Sequence, residues 1–186
     1  MNRSTKSILL IILVVLADQL LKLWVHNHMT YGQDLPMLGH WFMLRYIDNN
    51  GMAFGYEFAD KYGKVLLTSF RIVAVAVIGV IIRNCIRENY HLGFIFCLSL
   101  IMAGALGNII DSVVYGVMYG YAPLFHGKVI DMLYFPLFNA HYPSWSPINP
   151  SQPFTFFEYI FNLADASIFI GVLSILIFQN RYFKKV

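Results

Sequence analysis

The sequence predicts an all-α integral membrane protein with four transmembrane helices and a small sheet outside the membrane, on three observations. Of its 186 residues, 58% are hydrophobic and only 12% are charged, roughly half the charge of an average soluble domain. Four stretches stay apolar over the about 20 residues that a helix needs to cross a bilayer. Between the first two lies an aromatic, β-branched run followed by a turn signal. So little charge cannot clothe a water-soluble surface of this size.

The spans are expected at about residues 7–27, 64–83, 92–111 and 162–179 of one membrane-embedded domain, 1–186. The first has a rival reading as a cleavable signal peptide, with Arg3 and Lys6 as its basic start and Val15-Leu16-Ala17 as a cleavage site. Apolar residues run on past Ala17 through Leu20, Leu21, Leu23 and Trp24, which favours a retained helix. Basic residues gather before the first span, between the second and third (Arg83, Arg87) and after the fourth (Arg181, Lys184, Lys185). The positive-inside rule then puts both termini in the cytoplasm and the two long loops, about 28–63 and 112–161, outside. In the first loop, Trp41–Ile47 reads as a strand, and Asn49-Asn50-Gly51 as a turn before Met52-Ala53-Phe54. In the second, the tract from Tyr142 to Pro150 forbids a continuous helix.

Several chemistries are excluded. A net charge of +3 without a Lys/Arg-rich tract argues against nucleic acid. Cys85 and Cys97 lack metal-ligand spacing. No His-Glu-x-x-His motif occurs, and His126 and His141 have no helical ligand spacing. Gly-x-Ser-x-Gly elbows and phosphate loops are missing too. A serine–lysine dyad would have to use Lys22, and no serine is placed for it.

What remains is a set of polar residues where hydrocarbon makes them expensive, about 2.5–3.5 kcal/mol each on insertion scales. They are Asp18, Lys22, Arg71, Asn108, Asp111, Asn162 and Asp165, joined by Asp131 from the second loop. Asp18 lies roughly 16 Å along the first helix, past the midplane toward the outside. Asn108 and Asp111 close the third span at its outer end, and Asn162 and Asp165 open the fourth there. Each also has a structural reading. Asp18 and Lys22, spaced i, i+4, can neutralise one another. Asn162-Leu-Ala-Asp165 can be a capping box. Capping explains Asp111 less well, because a helix C-terminus disfavours a carboxylate. Asp131 can be a turn residue or a partner of Lys128.

Five motifs together resemble the bacterial lipoprotein (type II) signal peptidases. They are Asp18-Gln19-x-x-Lys22, Asn49-Asn50-Gly51-Met52-Ala53-Phe54-Gly55, the run Gly104 to Asp111, Gly127-Lys-Val-Ile-Asp131, and Phe161-Asn162-Leu-Ala-Asp165-Ala166. The resemblance implies a membrane aspartyl endopeptidase that removes the signal peptide from diacylglyceryl-modified prolipoproteins, cutting just before the lipidated cysteine. It implies Asp131 and Asp165 as the catalytic pair, with Asp18, Lys22, Asn49, Gly51, Asn108, Asp111 and Asn162 as substrate-binding or supporting residues. It also implies a small extracytoplasmic β-cradle, a short interfacial helix, and a bacterial inner-membrane enzyme working near the periplasmic face. No metal or organic cofactor is expected. The expected partners are the prolipoprotein and membrane lipids, and the expected state is a monomer. The sequence departs from the family pattern at Ser112, where an arginine is usual, at Met132, usually phenylalanine, and in a longer stretch between Asp131 and Asn162.

Two carboxyls suffice for peptide hydrolysis. Close carboxylates repel, so one keeps a proton while the other stays ionised. The ionised member takes a proton from water, and the protonated one polarises the scissile carbonyl. Which of Asp131 and Asp165 takes each role stays open, because such a pair titrates as a unit; a helix N-terminus near Asp165 leans toward that residue as the base. Two other classes compete: a proton- or ion-coupled transporter, which also uses intramembrane acids, and a scaffold in which the acids only cap and pair. The gathering of acids toward one face argues against a transport path, and a scaffold would tolerate neutralisation of Asp131.

Overall fold

The computed structural model describes residues 2–50, 60–141 and 153–183. Gly51, the expected strand Met52–Phe54 and the proline-rich tract after His141 lie outside them. The chain runs α1 (Arg3–His28), β1 (Asp34–Leu38), β2 (Phe42–Asn49), α2 (Asp60–Arg87) and α3 (Leu92–Ile110). A π-helical turn (Asp111–Tyr115) and a last short turn α4 (Gly116–Met118) prolong α3. Then come β3 (Val129–Tyr134), β4 (Phe138–His141), β5 (Pro153–Phe156), β6 (Ile160–Phe161) and α5 (Leu163–Tyr182).

Among the described residues, four helical stretches are long and apolar enough to cross a membrane. α1 begins where the Asn2 side chain accepts from the Thr5 amide at 2.8 Å. Its inward stripe is Ser7, Asp18, Lys22 and Val25, whereas Ile8, Ile12, Leu16 and Leu20 stay exposed on the opposite side, as a lipid-facing helix requires. α3 is the hub: 56% of its apolar window is buried, against 17%, 11% and 17% for the other three. Lacking a hydrophobic drive between helices in lipid, such packing relies on small residues that let backbones approach. A Cβ on Gly104 would come within 2.2 Å of the Ala164 carbonyl, and one on Gly107 within 2.6 Å of Asp18 Oδ2. On α5, a Cβ on Gly171 would meet the Cys97 carbonyl at 2.7 Å.

The second long loop is more regular than its proline-rich composition suggests. β3 and β6 extend the sheet begun by β1 and β2 in the order β1-β2-β3-β6, and β4 pairs with β5 in a separate hairpin. Asp131 is therefore a strand residue on β3, not the loop aspartate that its position between two spans suggested. The strand escaped sequence patterning because nearly every position is buried, so polar and apolar residues do not alternate. On one face, Ile130 and Met132 join Val25, Met29, Leu44, Tyr46 and Tyr115 in a hydrophobic cluster. That cluster fastens the sheet to the end of α1. The other face carries Asp131. Among the described residues no separate interfacial helix occurs.

The π turn corrects a second expectation. Asp111 does not sit at a frayed helix C-terminus, because helical structure continues to Met118. Its widened backbone leaves the Ser112 carbonyl to accept from the Gly127 amide at 2.9 Å. A Cβ on Gly127 would lie 2.1 Å from the Asp111 carbonyl, so glycine there lets the lead-in to β3 lie directly on the turn. Ser112, 1% exposed, returns its hydroxyl to the Asn108 carbonyl at 2.9 Å.

Gly104→Leu cannot be absorbed by a rotamer change, since backbone blocks it. Overpacking of this kind costs about 1–3 kcal/mol or more. Thermal unfolding in detergent should show a lower midpoint and a reduced folded yield, with Gly104→Ala milder than Gly104→Leu.

Candidate active site

The polar residues that the sequence singled out assemble in two tiers where α1, α3 and α5 meet the sheet. In the deeper tier Lys22, fully buried, bridges Asp18 at 2.8 Å and Asp111 at 2.7 Å. The i, i+4 pairing of Asp18 with Lys22 is present, but the lysine also ties α1 to α3, and it donates to Asn108 Oδ1 at 3.2 Å. Asp18 Oδ1 accepts from the Ala164 amide at 2.9 Å, so α5 begins on an α1 carboxylate. Asp111 accepts from Gln19 Nε2 at 2.8 Å and, more weakly, from the Ile130 amide at 3.4 Å. Gln19 takes a 3.0 Å hydrogen bond from the Tyr115 hydroxyl. Neither Gln19 nor Tyr115 was assigned a role from sequence. A glutamine inside a span was signal enough for the first, whereas Tyr115 depends on the π turn.

The upper tier holds Asp131 and Asp165 on asparagine amides. Asn49 Nδ2 donates to Asp131 Oδ2 at 2.9 Å, and Asn162 Nδ2 donates to Asp131 Oδ1 at 2.7 Å. Sheet register explains the first contact: Ile47 is opposite Asp131, which leaves Asn49, two residues on, as its diagonal neighbour on the same face. Asn108 Nδ2 donates to Asp165 Oδ1 at 2.8 Å, while Asn108 Oδ1 accepts from Asn162 Nδ2 at 3.1 Å. The asparagines thus form one chain of donors and acceptors running from one carboxyl to the other.

Asn162 also caps α5. Its Oδ1 accepts from the Asp165 amide at 2.9 Å, and Asp165 Oδ2 accepts from the Asn162 amide at 3.4 Å, which completes a capping box. Capping does not exhaust either residue, because each also reaches the Asp131–Asn108 chain. Lys128 does not partner Asp131; its ammonium pairs with Asp48 at 3.3 Å.

Asp131 is 3% exposed. Burial, reinforced by the neighbouring Asp165 charge, pushes its carboxyl up to about 7, against the opposing pull of Asn49 and Asn162. Near neutrality it is thus poised to hold or release a proton. Asp165, at the start of α5, is only partly buried. Among the described residues, no group of three or more His, Cys, Asp and Glu could hold a metal ion.

Among the described residues, four helices long and apolar enough to cross a membrane stand with a small sheet, and two carboxyls set on neutral amide donors lie where they meet, the outline of a polytopic membrane protein. The model of the signal peptidase (SPase) II family matches residues 10–181, and the chain belongs to that family of membrane aspartic peptidases. It is 40% identical over 188 residues to the lipoprotein signal peptidase of Porphyromonas gingivalis, covering 92% of this chain and 81% of that one. With the lipoprotein signal peptidase of Amoebophilus asiaticus it shares 42% identity over 175 residues, 89% of this chain and 74% of the relative. A bacterial membrane enzyme solved by the in meso method at 1.9 Å resolution superimposes with a TM-score of 0.64 at 26% identity, covering 94% of this chain and 92% of its own.

Removing one member of a buried charge set leaves the others uncompensated, at about 3–5 kcal/mol. Lys22→Met should therefore lower the unfolding midpoint in detergent far more than Lys128→Met, whose ion pair is partly exposed.

Proposed function

We propose that this protein removes the signal peptide from diacylglyceryl-modified prolipoproteins by hydrolysing the bond just before the lipidated cysteine, with Asp131 and Asp165 as its catalytic pair. The observation that carries this reading is the shared asparagine chain, which brings one carboxyl from β3 and one from the start of α5 to a single locus. The gathering of basic residues at the opposite helix ends supports a topology with both termini in the cytoplasm and this locus at the outer face of a bacterial inner membrane. A lipid-anchored peptide presents its cut site at that depth. The four spans and the β1-β2-β3-β6 sheet act as one domain, the sheet serving as the cradle above the cut site.

In the chemistry, ionised Asp165 takes a proton from water as its oxygen bonds to the scissile carbonyl carbon. Protonated Asp131 hydrogen-bonds the carbonyl oxygen and delivers its proton to it, giving a neutral gem-diol. Asp165 then passes its proton to the departing cysteine nitrogen, Asp131 recovers the diol proton, and the C–N bond breaks. The pair returns to its starting state, and no cofactor takes part. Asn49 and Asn162 hold Asp131 so that its oxygens face the substrate; their amides can also meet the extended peptide backbone.

Asp131→Asn and Asp165→Asn should each lower cleavage of a diacylglyceryl-modified lipopeptide by at least about 100-fold, the lower range for loss of an acid–base group. Normal rates in both folded variants would contradict the assignment. The acid must keep its proton, and Asp131 loses it near pH 7. kcat/KM in detergent should accordingly fall as pH rises above about 7, and a profile flat into the alkaline range would contradict the role given to Asp131.

A further inference from the structure

At the helix ends away from the carboxyl pair, α1 and α2 scarcely touch. Each packs on α3, and a groove of about 340 Å³ is left between them. The first turns of α1 form one wall and the last turns of α2 the other. Arg3 donates to the Tyr90 carbonyl at 2.7 Å, which fastens the start of α1 to the link between α2 and α3.

The groove changes character along its length. Its mouth carries Arg83 and Arg87, both exposed, with Ser4 on the other wall. Spaced i, i+4, the two arginines share one face of α2, and that face lines the groove. Farther in, Ile8 and Ile11 stand on the α1 side, Gly79 and Ile82 on the α2 side, and Met102 of α3 lines it too. From Arg87 to Gly79 the α2 wall runs about 12 Å. The nearest atom that a Cβ on Gly79 would meet is Met102 Cε, at 3.7 Å, so a longer side chain there would stand in the groove.

The charge at the mouth is unanswered by the neighbouring side chains. Neither Arg83 nor Arg87 takes part in an ion pair among the described residues, and no described acid lines the groove. Glu88, next along the chain, lines a separate hollow with Asn84 and Phe183. Basic residues that only set orientation need no common face, yet these two share a cleft whose interior is apolar. A cationic mouth over an apolar channel has the polarity of an amphiphile with an anionic head. A basic peptide segment, such as the start of a signal peptide, would be repelled by it.

We propose that this groove binds one anionic phospholipid, its phosphate between the Arg83 and Arg87 guanidiniums and one acyl chain along Ile8, Ile11, Ile82 and Met102. Guanidinium suits the head group, because its fork of donors matches phosphate oxygens. The chain fills the gap that α1 and α2 leave on α3. In the topology proposed above, the lipid belongs to the cytoplasmic leaflet, where anionic lipids attract basic groups beside the membrane. Nothing in this site depends on the peptidase reading, whose residues lie at the opposite helix ends.

Native mass spectrometry of the full-length protein in detergent tests it, with phosphatidylglycerol and phosphatidylcholine of the same acyl chains added in turn. One phosphatidylglycerol per chain should be retained, bound roughly tenfold or more tighter than phosphatidylcholine. Arg83→Gln/Arg87→Gln, at exposed positions that leave packing untouched, should abolish that preference. Gly79→Leu should lose the lipid with both arginines in place. Lys128→Gln/Arg181→Gln, which removes the same charge elsewhere, should keep it. Ile8→Trp, at a position 57% exposed on the lip of the groove, replaces Gly79→Leu if that variant misfolds. Equal retention of the two lipids by the wild type, or an unchanged preference in the double arginine variant, would overturn the proposal. So would full affinity in folded Gly79→Leu, which would leave only surface attraction. Displacement by inorganic phosphate would mark a free-anion site instead, and a lipid-free dimer would mean that a second copy covers the groove; either result would also overturn it.

Discussion

The site depends on Lys22. Its ammonium, with no exposure at all, carries the positive charge that lets Asp18 and Asp111 remain in a membrane interior, and by reaching both it fixes α1 against α3. Asp18 in turn accepts the Ala164 amide at the start of α5, and Asp111 accepts the Ile130 amide beside Asp131. One buried cation therefore links three helices and the central strand. Such a cluster is a poor source of net stability, because desolvation offsets much of the attraction. Its value lies in uniqueness: a helix that slides or rotates strands a charge.

Specificity in the deeper tier permits economy in the upper one. Asn49, Asn108 and Asn162 are neutral, so they orient Asp131 and Asp165 without neutralising the pair's shared charge. Amide donors hold a carboxylate by hydrogen bonds, yet leave room for burial to raise the affinity of Asp131 for its proton. A lysine in contact with the pair would have favoured two ionised carboxylates. Glycines 104 and 107 complete the arrangement by bringing α3 close enough to α5 and to Asp18 for these short side chains to meet.

Much of this was legible in the sequence, because hydrocarbon penalises polar residues so heavily that those present declare themselves. Asp18, Lys22, Asn108, Asp111, Asn162 and Asp165 all stood out on that ground, and the structure gathers them. Compared with the expected spans, α2 starts earlier, at Asp60, and helical structure after α3 runs on to Met118. The rest needed tertiary information. β3 is covered on both faces and lacks alternation, so Asp131 read as a loop residue. The π turn has no sequence signature, which left Asp111 misplaced at a helix terminus and Tyr115 unnoticed. Gly51 lies outside the described residues.

The central claim is that water, activated by two carboxyls, attacks one defined peptide bond without covalent capture of the substrate. Mass spectrometry of a single turnover on a diacylglyceryl-modified prolipoprotein peptide, run in heavy-oxygen water, addresses it directly. The account predicts a fragment beginning at the lipidated cysteine, a released peptide with one heavy oxygen in its new carboxylate, and an enzyme of unchanged mass. Cleavage at another bond, or an acyl group retained on the enzyme, would contradict it.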